Sequence, residues 1–291
     1  MIPLKDNIPT RRPAIVTYAL IAANIAVFIF FQQALFGPHG GFSSEGIHEK
    51  VIHYALIPYE LTHPGKLCGD KALVQTPAGP QPIDATNAPP LCEGRTETFT
   101  DTSTGSPVRA KVQRVLDRNQ PPAWVTIFTA MFMHGGVLHI AGNMLFLWIF
   151  GNNVEDAMGR LKFLLFYLAG GLVAALAQVA IGPSSSVPTL GASGAIAAVL
   201  GAYALLYPRA RVVTLIFIVF FVTVITVPAL LVLGLWFLFQ LLDASSQPLG
   251  GGGGVAYFAH IGGFLFGLLT VKLLARRHDP DYDRRTRLPV Y

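Results

Sequence analysis

Charged residues are scarce in this chain of 291 residues, and their scarcity excludes an ordinary water-soluble protein. Asp, Glu, Lys and Arg together make up 13% of the sequence, whereas hydrophobic residues make up 52%. A soluble protein normally has about a quarter charged residues. Much of the surface must therefore face something other than water. Residues 163–208 and 212–242 contain no charged side chain at all.

Cysteine is almost absent as well. Cys68 and Cys92 are the only two, and both lie in a polar segment rich in Pro, Gly and Thr. On the outer side of a membrane this pair could form a disulfide; two unpaired thiols are the alternative. No thiolate or carboxylate accompanies the histidines of the apolar segments, and their spacing lacks the HExxH pattern of zinc proteases. We therefore expect no metal and no other cofactor.

Long apolar runs are what the sequence has instead, and a helix needs roughly 20 such residues to cross a bilayer. The run Val212–Leu242 would be about 46 Å long as a single helix. Pro228 is the natural break in this run, because proline interrupts a helix. We expect residues 212–226 to include an interfacial or irregular part. The fold class predicted is an all-α polytopic membrane protein with these six spans: Ala14–Leu35, Val137–Gly151, Leu161–Ile181, Ser193–Leu206, Val212–Leu242 and Tyr257–Leu274.

The distribution of lysine and arginine predicts the orientation in the membrane. Basic residues precede the first span and follow the last, whereas Gly182–Leu190 and Asp243–Ala256 contain none. Both termini are therefore expected in the cytoplasm, and the first span is expected to be an anchor rather than a signal peptide. These flanks account for the net charge of +5, so nucleic-acid binding is not expected.

The predicted regions are a cytoplasmic tail 1–13, the first span 14–35, an extracytoplasmic insertion 36–122, a core 123–275 with spans two to six, and a basic cytoplasmic tail 276–291.

Four polar side chains inside the apolar spans are candidate functional groups, because polar groups in hydrocarbon are costly and need partners. They are Ser193, His260, His139 and Asn143. A helix that starts at Ser193 is about 21 Å long, too short to cross the whole hydrocarbon core. Its free N–H groups would suit an oxyanion. The alternative is that the small residues around Ser193 only let helices pack closely.

His260 favours the functional interpretation of Ser193. Gly263 and Gly267 lie on the same helical face as His260, and Gly194 and Gly201 form a similar smooth face in the fourth span. Two such faces allow close backbone approach, which would bring the imidazole within hydrogen-bond reach of the serine hydroxyl. A neutral histidine is the usual base for activating serine.

The stretch "HGGVLHIAGN" supplies further hydrogen-bond donors. His139 and Asn143 are four residues apart and so lie on one helical face. Both can donate hydrogen bonds, as an oxyanion hole requires. His134 lies before a Gly-Gly pair and is predicted to organise the outer loop rather than to react.

Together, "HGGVLHIAGN", "GASG" and "AHIGGFLFG", in this order on spans two, four and six, resemble the rhomboid family of intramembrane serine proteases. The resemblance implies a six-helix rhomboid-like bundle in which Ser193 is the nucleophile and His260 its base, without an aspartate. It implies that His139, Asn143 and the Ser193 backbone N–H form the oxyanion hole. The glycines Gly191, Gly194, Gly201, Gly263 and Gly267, with His134, would support the site. The stretches "FGNNVEDAMG" and "ALIPYEL" also look familial.

The sequence departs from the family pattern in places. Some members carry a tyrosine four residues after the serine that stacks on the histidine, but Ala197 stands here. Another residue must then orient His260. Trp124 is followed by valine rather than by the arginine that many members have, and residues 63–120 exceed a minimal rhomboid. The glycines Gly250 to Gly254, before the His260 helix, could form a lid or a solvent-exposed spacer.

The predicted function is hydrolysis of peptide bonds at or near the outer end of substrate transmembrane helices, in a bacterial inner membrane. The predicted partners are single-span or other transmembrane proteins and the lipid bilayer. One alternative is a catalytically silent rhomboid-like protein that binds transmembrane clients, although both dyad residues are present. A small transporter is the other alternative, but it predicts inverted repeats and charged residues along a path, and the sequence shows neither.

Overall fold

The computed structural model describes residues 2–32, 44–76, 79–85, 89–100, 107–218, 221–246 and 256–275. Within them the helices are α1 Ile15–Ala26, α2 Ser44–Tyr54, α3 Pro58–Thr62, α4 Ala123–Thr129, α5 Val137–Phe146, α6 Asn152–Met158, α7 Arg160–Ile181, α8 Ser193–Leu206, α9 Ala229–Ser246 and α10 Tyr257–Leu274. The strands are β1 Ile2–Asp6, β2 Cys68–Gly69, β3 Lys71–Thr76, β4 Gly79–Asp84, β5 Leu91–Cys92, β6 Thr96–Thr100, β7 Pro107–Val115, β8 Arg211–Ile218 and β9 Phe221–Pro228. The predicted tail 276–291 and the glycines Gly250 to Gly254 lie outside the described residues.

Three helical segments of the described chain are long and apolar enough to cross a membrane: Val137–Met158, Arg160–Ile181 and Tyr257–Leu274. The first runs from α5 through a π-helical turn, Leu147–Gly151, into α6. Shorter apolar helices occupy Ile15–Phe31, Ser193–Leu206 and Ala229–Ser245, where further spans were expected. The count of six spans, the orientation of the chain and the placement of residues 36–122 outside the cell stay predictions.

Helices α7, α8 and α10 form the centre of the bundle. Helix α8 is buried along almost its whole length, from Gly194 to Tyr203, because its side chains are small and it packs against α7, α10, α6, α9 and α5. A Cβ at Gly201 would collide with the Phe264 carbonyl oxygen of α10, and a Cβ at Gly267 would collide with the Ala198 carbonyl of α8. The two backbones therefore touch, as the glycine spacing predicts.

The run 212–242 is not one helix, and the part before Pro228, which was expected to be interfacial or irregular, forms strands. Strands β8, Arg211–Ile218, and β9, Phe221–Pro228, pair antiparallel in regular register from Arg211 opposite Pro228 to Ile218 opposite Phe221. Valine, isoleucine, threonine and phenylalanine dominate this segment, and β-branched and aromatic residues favour strands. Helix α9 then begins at Ala229, directly after Pro228, where the break was expected. The all-α fold class therefore holds for the bundle but not for the whole chain.

The N-terminal tail also forms a strand rather than a simple extension. Strand β1 pairs with β8, which gives the sheet order β1-β8-β9. The buried Asp6 carboxylate accepts hydrogen bonds from the Tyr203 hydroxyl and from Asn153 Nδ2, each 2.6 Å long. Glu155 accepts hydrogen bonds from the backbone N–H groups of Val16 and Thr17 at the start of α1. The stretch "FGNNVEDAMG" therefore anchors the N-terminal segment and α1 to the bundle.

The polar segment before α4 folds around a four-stranded antiparallel sheet with the order β4-β3-β7-β6. A disulfide joins Cys68 and Cys92, which lie opposite each other in β2 and β5, so the alternative of two free thiols is wrong.

Burial raises the pKa of the Glu60 carboxyl, which accepts a hydrogen bond from the Cys68 N–H, to about 7. Because the fold favours the protonated form, the contribution of Glu60 to stability falls as the pH rises from about 4.5 through 7.

The contact between α8 and α10 predicts that an added methyl group lowers the stability of the protein at Gly267 but not at Gly234 of α9. Gly267→Ala places a methyl group against the Ala198 carbonyl, and overpacking of this kind typically costs about 1–3 kcal/mol. We expect a melting temperature several degrees below that of the wild type, measured by circular dichroism in detergent. Gly234→Ala is the matched control, because a Cβ at Gly234 of α9 meets nothing within 4 Å. Equal melting temperatures for the two variants would contradict the close packing.

Candidate active site

Ser193 lies at the first position of α8, at the end of a loop that follows Gly182. The serine is half-buried, while the next residues of the helix are fully buried. Gly191 adopts φ +121°, a backbone conformation that favours glycine, and its N–H donates to the Ala130 carbonyl at 2.8 Å. The sequence "GASG" thus provides the turn that delivers the serine hydroxyl to the helix N-terminus.

His260 lies one turn into α10, and its imidazole reaches Ser193. The Nε2 atom of His260 is 2.7 Å from the Ser193 hydroxyl oxygen. A Cβ at Gly194 would come within 2.6 Å of Ala174 Cβ, and one at Gly263 would collide with the Gly194 carbonyl. The missing side chains therefore permit the approach that joins the two polar groups across separate helices.

His139 of α5 borders the same position. A Cβ built at Gly191 would lie 2.9 Å from His139 Nε2 and 3.5 Å from the Ser193 hydroxyl, so these two groups flank one point. The Gly135 N–H approaches His139 Nδ1 at 3.4 Å, which leaves Nε2 as the protonated nitrogen and a donor. Asn143 is buried, and its Nδ2 has no hydrogen-bond partner in the described part of the chain.

Comparison with known proteins identifies the family of this chain. The family model of the Rhomboid domain matches residues 121–277, more than half of the chain. The chain belongs to the rhomboid family. It is therefore an integral membrane protein, and the resemblance drawn from the three motifs is confirmed.

Individual relatives match only parts of this rhomboid. Rhomboid protease GluP of Bacillus subtilis is 42% identical over 79 residues, 27% of this chain and 15% of that protein. Rhomboid protein 1, mitochondrial, of Saccharomyces cerevisiae is 30% identical over 183 residues, 59% of this chain and 48% of that protein. Presenilin-associated rhomboid-like protein A, mitochondrial, of Danio rerio is 30% identical over 159 residues, 51% of this chain and 38% of that protein. The chain spans less than half the length of each.

His134 of this rhomboid supports the loop before α5 through its backbone. Its N–H donates to Gln32 Oε1 and its carbonyl accepts from Gln32 Nε2, both at 2.9 Å. The His134 ring lies edge-on to the His139 ring, with 5.1 Å between centroids. Neither ring nitrogen of His134 has a hydrogen-bond partner in the described part of the chain, whereas His260 Nε2 contacts the Ser193 hydroxyl.

Two glutamines beside His260 were missed by the sequence analysis. Gln240 of α9 places Oε1 2.6 Å from His260 Nδ1, and Gln178 of α7 accepts the Ala259 N–H at 3.3 Å. Gln240 could have been noticed in the sequence, because it is a single amide in a run of apolar side chains and polar groups in such runs need partners. The spacing of residues does not show which helix the Gln240 side chain faces.

The insertion of this rhomboid contacts the loop that leads to Ser193. Leu56 and Thr189 exchange two backbone hydrogen bonds, 2.9 and 2.7 Å long, and the Tyr59 N–H donates to the Ser185 carbonyl. The Tyr59 hydroxyl in turn donates to the Glu93 carbonyl, next to the disulfide of Cys92. The stretch "ALIPYEL" therefore connects the disulfide-bonded region to the approach of the serine.

We predict that loss of the disulfide loosens this connection. A disulfide that closes 24 residues contributes about 3 kcal/mol in the chain-entropy account. In the variant with Cys68→Ser and Cys92→Ser, we expect the amides of Leu56, Tyr59 and Thr189 to exchange with deuterium roughly tenfold faster or more. The amide of Gly191, which bonds Ala130 within the bundle, is the internal control and should change least. Unchanged exchange at Thr189 would show that the loop holds its shape without the disulfide.

Proposed function

We propose that this rhomboid is an intramembrane serine endopeptidase. The observation that carries the proposal is the 2.7 Å contact between His260 Nε2 and the Ser193 hydroxyl. A serine becomes a useful nucleophile when a neutral imidazole accepts its proton. The other neighbours of the hydroxyl fit the same chemistry, because they supply hydrogen-bond donors rather than charges. The name of one relative, Rhomboid protease GluP, adds support.

In the proposed reaction, the Ser193 oxygen attacks the carbonyl carbon of a substrate peptide bond while His260 takes the hydroxyl proton. The carbonyl oxygen becomes an oxyanion. The unpaired Asn143 Nδ2, the His139 Nε2–H and the N–H groups at the start of α8 are the donors available to it. His260 then gives its proton to the leaving amine. Water subsequently hydrolyses the acyl-enzyme through the same groups.

The surroundings of Ser193 favour a substrate with small side chains at the cleaved bond. A cavity of about 30 Å³ opens next to the serine, lined by groups such as Ala130, Met131, Gly171 and Ala256. Its small volume and apolar lining leave little room for a large or charged side chain.

A helical peptide bond is also shielded by its own hydrogen bonds, so the substrate segment must be extended before attack. We propose single-span membrane proteins as the substrate class.

We also propose the cytoplasmic location of both termini and a bacterial cell (inner) membrane. The basic residues flanking the spans support the orientation, and Bacillus subtilis is among the sources of relatives. The insertion with its disulfide would then lie on the oxidising side of the membrane, where disulfides persist.

Incubation with a panel of single-span substrates tests the proposal. We expect the purified wild type to cleave at least one substrate and to react with a fluorophosphonate probe, and Ser193→Ala to do neither. His139→Ala and Asn143→Ala should lower kcat by about 10²–10³ each, since each removes one oxyanion donor. A correctly folded wild type that neither cleaves nor labels would favour the catalytically silent, client-binding alternative.

The need for an extended substrate gives a separate prediction. Replacement of small or helix-breaking residues at the outer end of a cleaved substrate helix by leucine should reduce the cleavage rate, because leucine strengthens the helix. Quantitative electrophoresis of the cleaved fragment provides the measurement. The same number of leucines at the opposite end of the substrate helix is the control. Equal rates for the two substrates would show that unwinding does not limit cleavage.

A further inference from the structure

The imidazole of His260 is held at both of its nitrogens. Nε2 faces the Ser193 hydroxyl at 2.7 Å and Nδ1 faces Gln240 Oε1 at 2.6 Å. With the oxygen of Gln240 facing the ring, the amide can only accept a hydrogen bond, and this arrangement corresponds to the tautomer with the proton on Nδ1 and with Nε2 free. That tautomer is the one able to take a proton from a serine hydroxyl. Gln240 therefore selects the chemically competent form of the histidine.

The position of Gln240 is fixed by its own helix. Trp236 lies one turn earlier on α9, with its ring 5.8 Å from the His260 ring and 6.2 Å from the Phe264 ring. Phe237 stacks on Phe264 with 4.5 Å between centroids. Gln240 itself is buried, whereas its neighbours Phe239 and Leu241 are exposed. One face of α9 is thus packed against α10, and the amide lies on that face.

An amide suits this position better than a carboxylate would. The site lies within a membrane protein, where an unpaired charge is costly to bury. The Gln240 oxygen offers the same acceptor geometry as a carboxylate without adding a charge. The residue four positions after the serine, Ala197, is fully buried and too small to orient a ring. Of the described side chains around His260, Gln240 is the one that bonds the far nitrogen.

We propose that Gln240 is a positioning residue that fixes the tautomer and orientation of His260, so that the site works as Ser193–His260–Gln240. The inference rests on the proposed protease function for its kinetic consequences. Gln240 does not touch substrate and takes no proton. It keeps accepting the Nδ1 hydrogen bond while His260 is protonated, and its dipole stabilises the imidazolium.

Three variants separate this role from a packing role. Gln240→Leu retains the approximate volume and removes the acceptor. Gln240→Glu retains an oxygen that accepts, whether ionised or protonated, and is the conservative rescue. Gln178→Leu is the matched control, because Gln178 is also a glutamine beside α10 but bonds the Ala259 backbone rather than the imidazole.

We expect Gln240→Leu to lower kcat roughly 10- to 100-fold with KM within twofold, because part of the general-base contribution is lost. Gln240→Glu should recover most of that loss. In nitrogen-15 spectra of histidine-labelled protein in lipid bilayers, wild-type His260 should have an unprotonated Nε2. Gln240→Leu should increase the fraction with protonated Nε2, whereas Gln178→Leu should leave the tautomer as in the wild type.

Two results would overturn the inference. One is a Gln240→Leu variant with wild-type kcat and an unchanged tautomer. The other is a loss of kcat that follows a loss of melting temperature, equally in Gln240→Leu and Gln178→Leu, which would assign Gln240 to packing. A wild type that neither cleaves substrates nor labels would instead contradict the proposed function. The tautomer comparison would still decide whether Gln240 fixes the imidazole.

Discussion

Direct backbone contact between α8 and α10 is the constraint on which the rest of the site depends. The carbonyl oxygens of Gly194 and Ala198 lie where side chains at Gly263 and Gly267 would be. Dispersion contacts of this kind are strong only at short range, and small residues are what permits helices to reach that range in a membrane. Ser193 and His260 belong to the first turns of these two helices, so their hydrogen bond follows from the same contact.

Much of this central arrangement could be predicted from the sequence, because local patterns determine it. The start of α8 at Ser193 and the glycine face after His260 are both visible in spacing. The hairpin of β8 and β9 was missed because hydropathy does not separate an apolar strand from an apolar helix. Gln240 was missed for another reason, since it lies 20 residues from His260 and its position depends on how α9 packs. The pairing of β1 with β8 is equally non-local.

The insertion and the bundle meet at one short loop, and this gives the polar segment a structural consequence. Residues 183–189 are held on one side by Leu56 and Tyr59 and continue on the other into Gly191 and the serine. The backbone N–H and C=O groups of an irregular loop need hydrogen-bond partners where they are removed from water. Here the partners come from a region with its own sheet and disulfide. The conformation of the serine turn is therefore determined from two directions, by the bundle and by the insertion.

Charge is the remaining constraint on the chemistry. The side chains next to the Ser193 hydroxyl in the described structure are the imidazoles of His260 and His139, and the Gln240 amide faces the far nitrogen of His260. In the proposed mechanism the imidazolium and the oxyanion form together, so the site gains a pair of opposite charges and no net charge. The N-terminus of α8 and the donors of α5 stabilise the negative partner, and the Gln240 oxygen stabilises the positive one. A permanent carboxylate at residue 240 would need compensation in the resting state, whereas a neutral amide can hold the resting imidazole and later stabilise the imidazolium without adding a charge of its own.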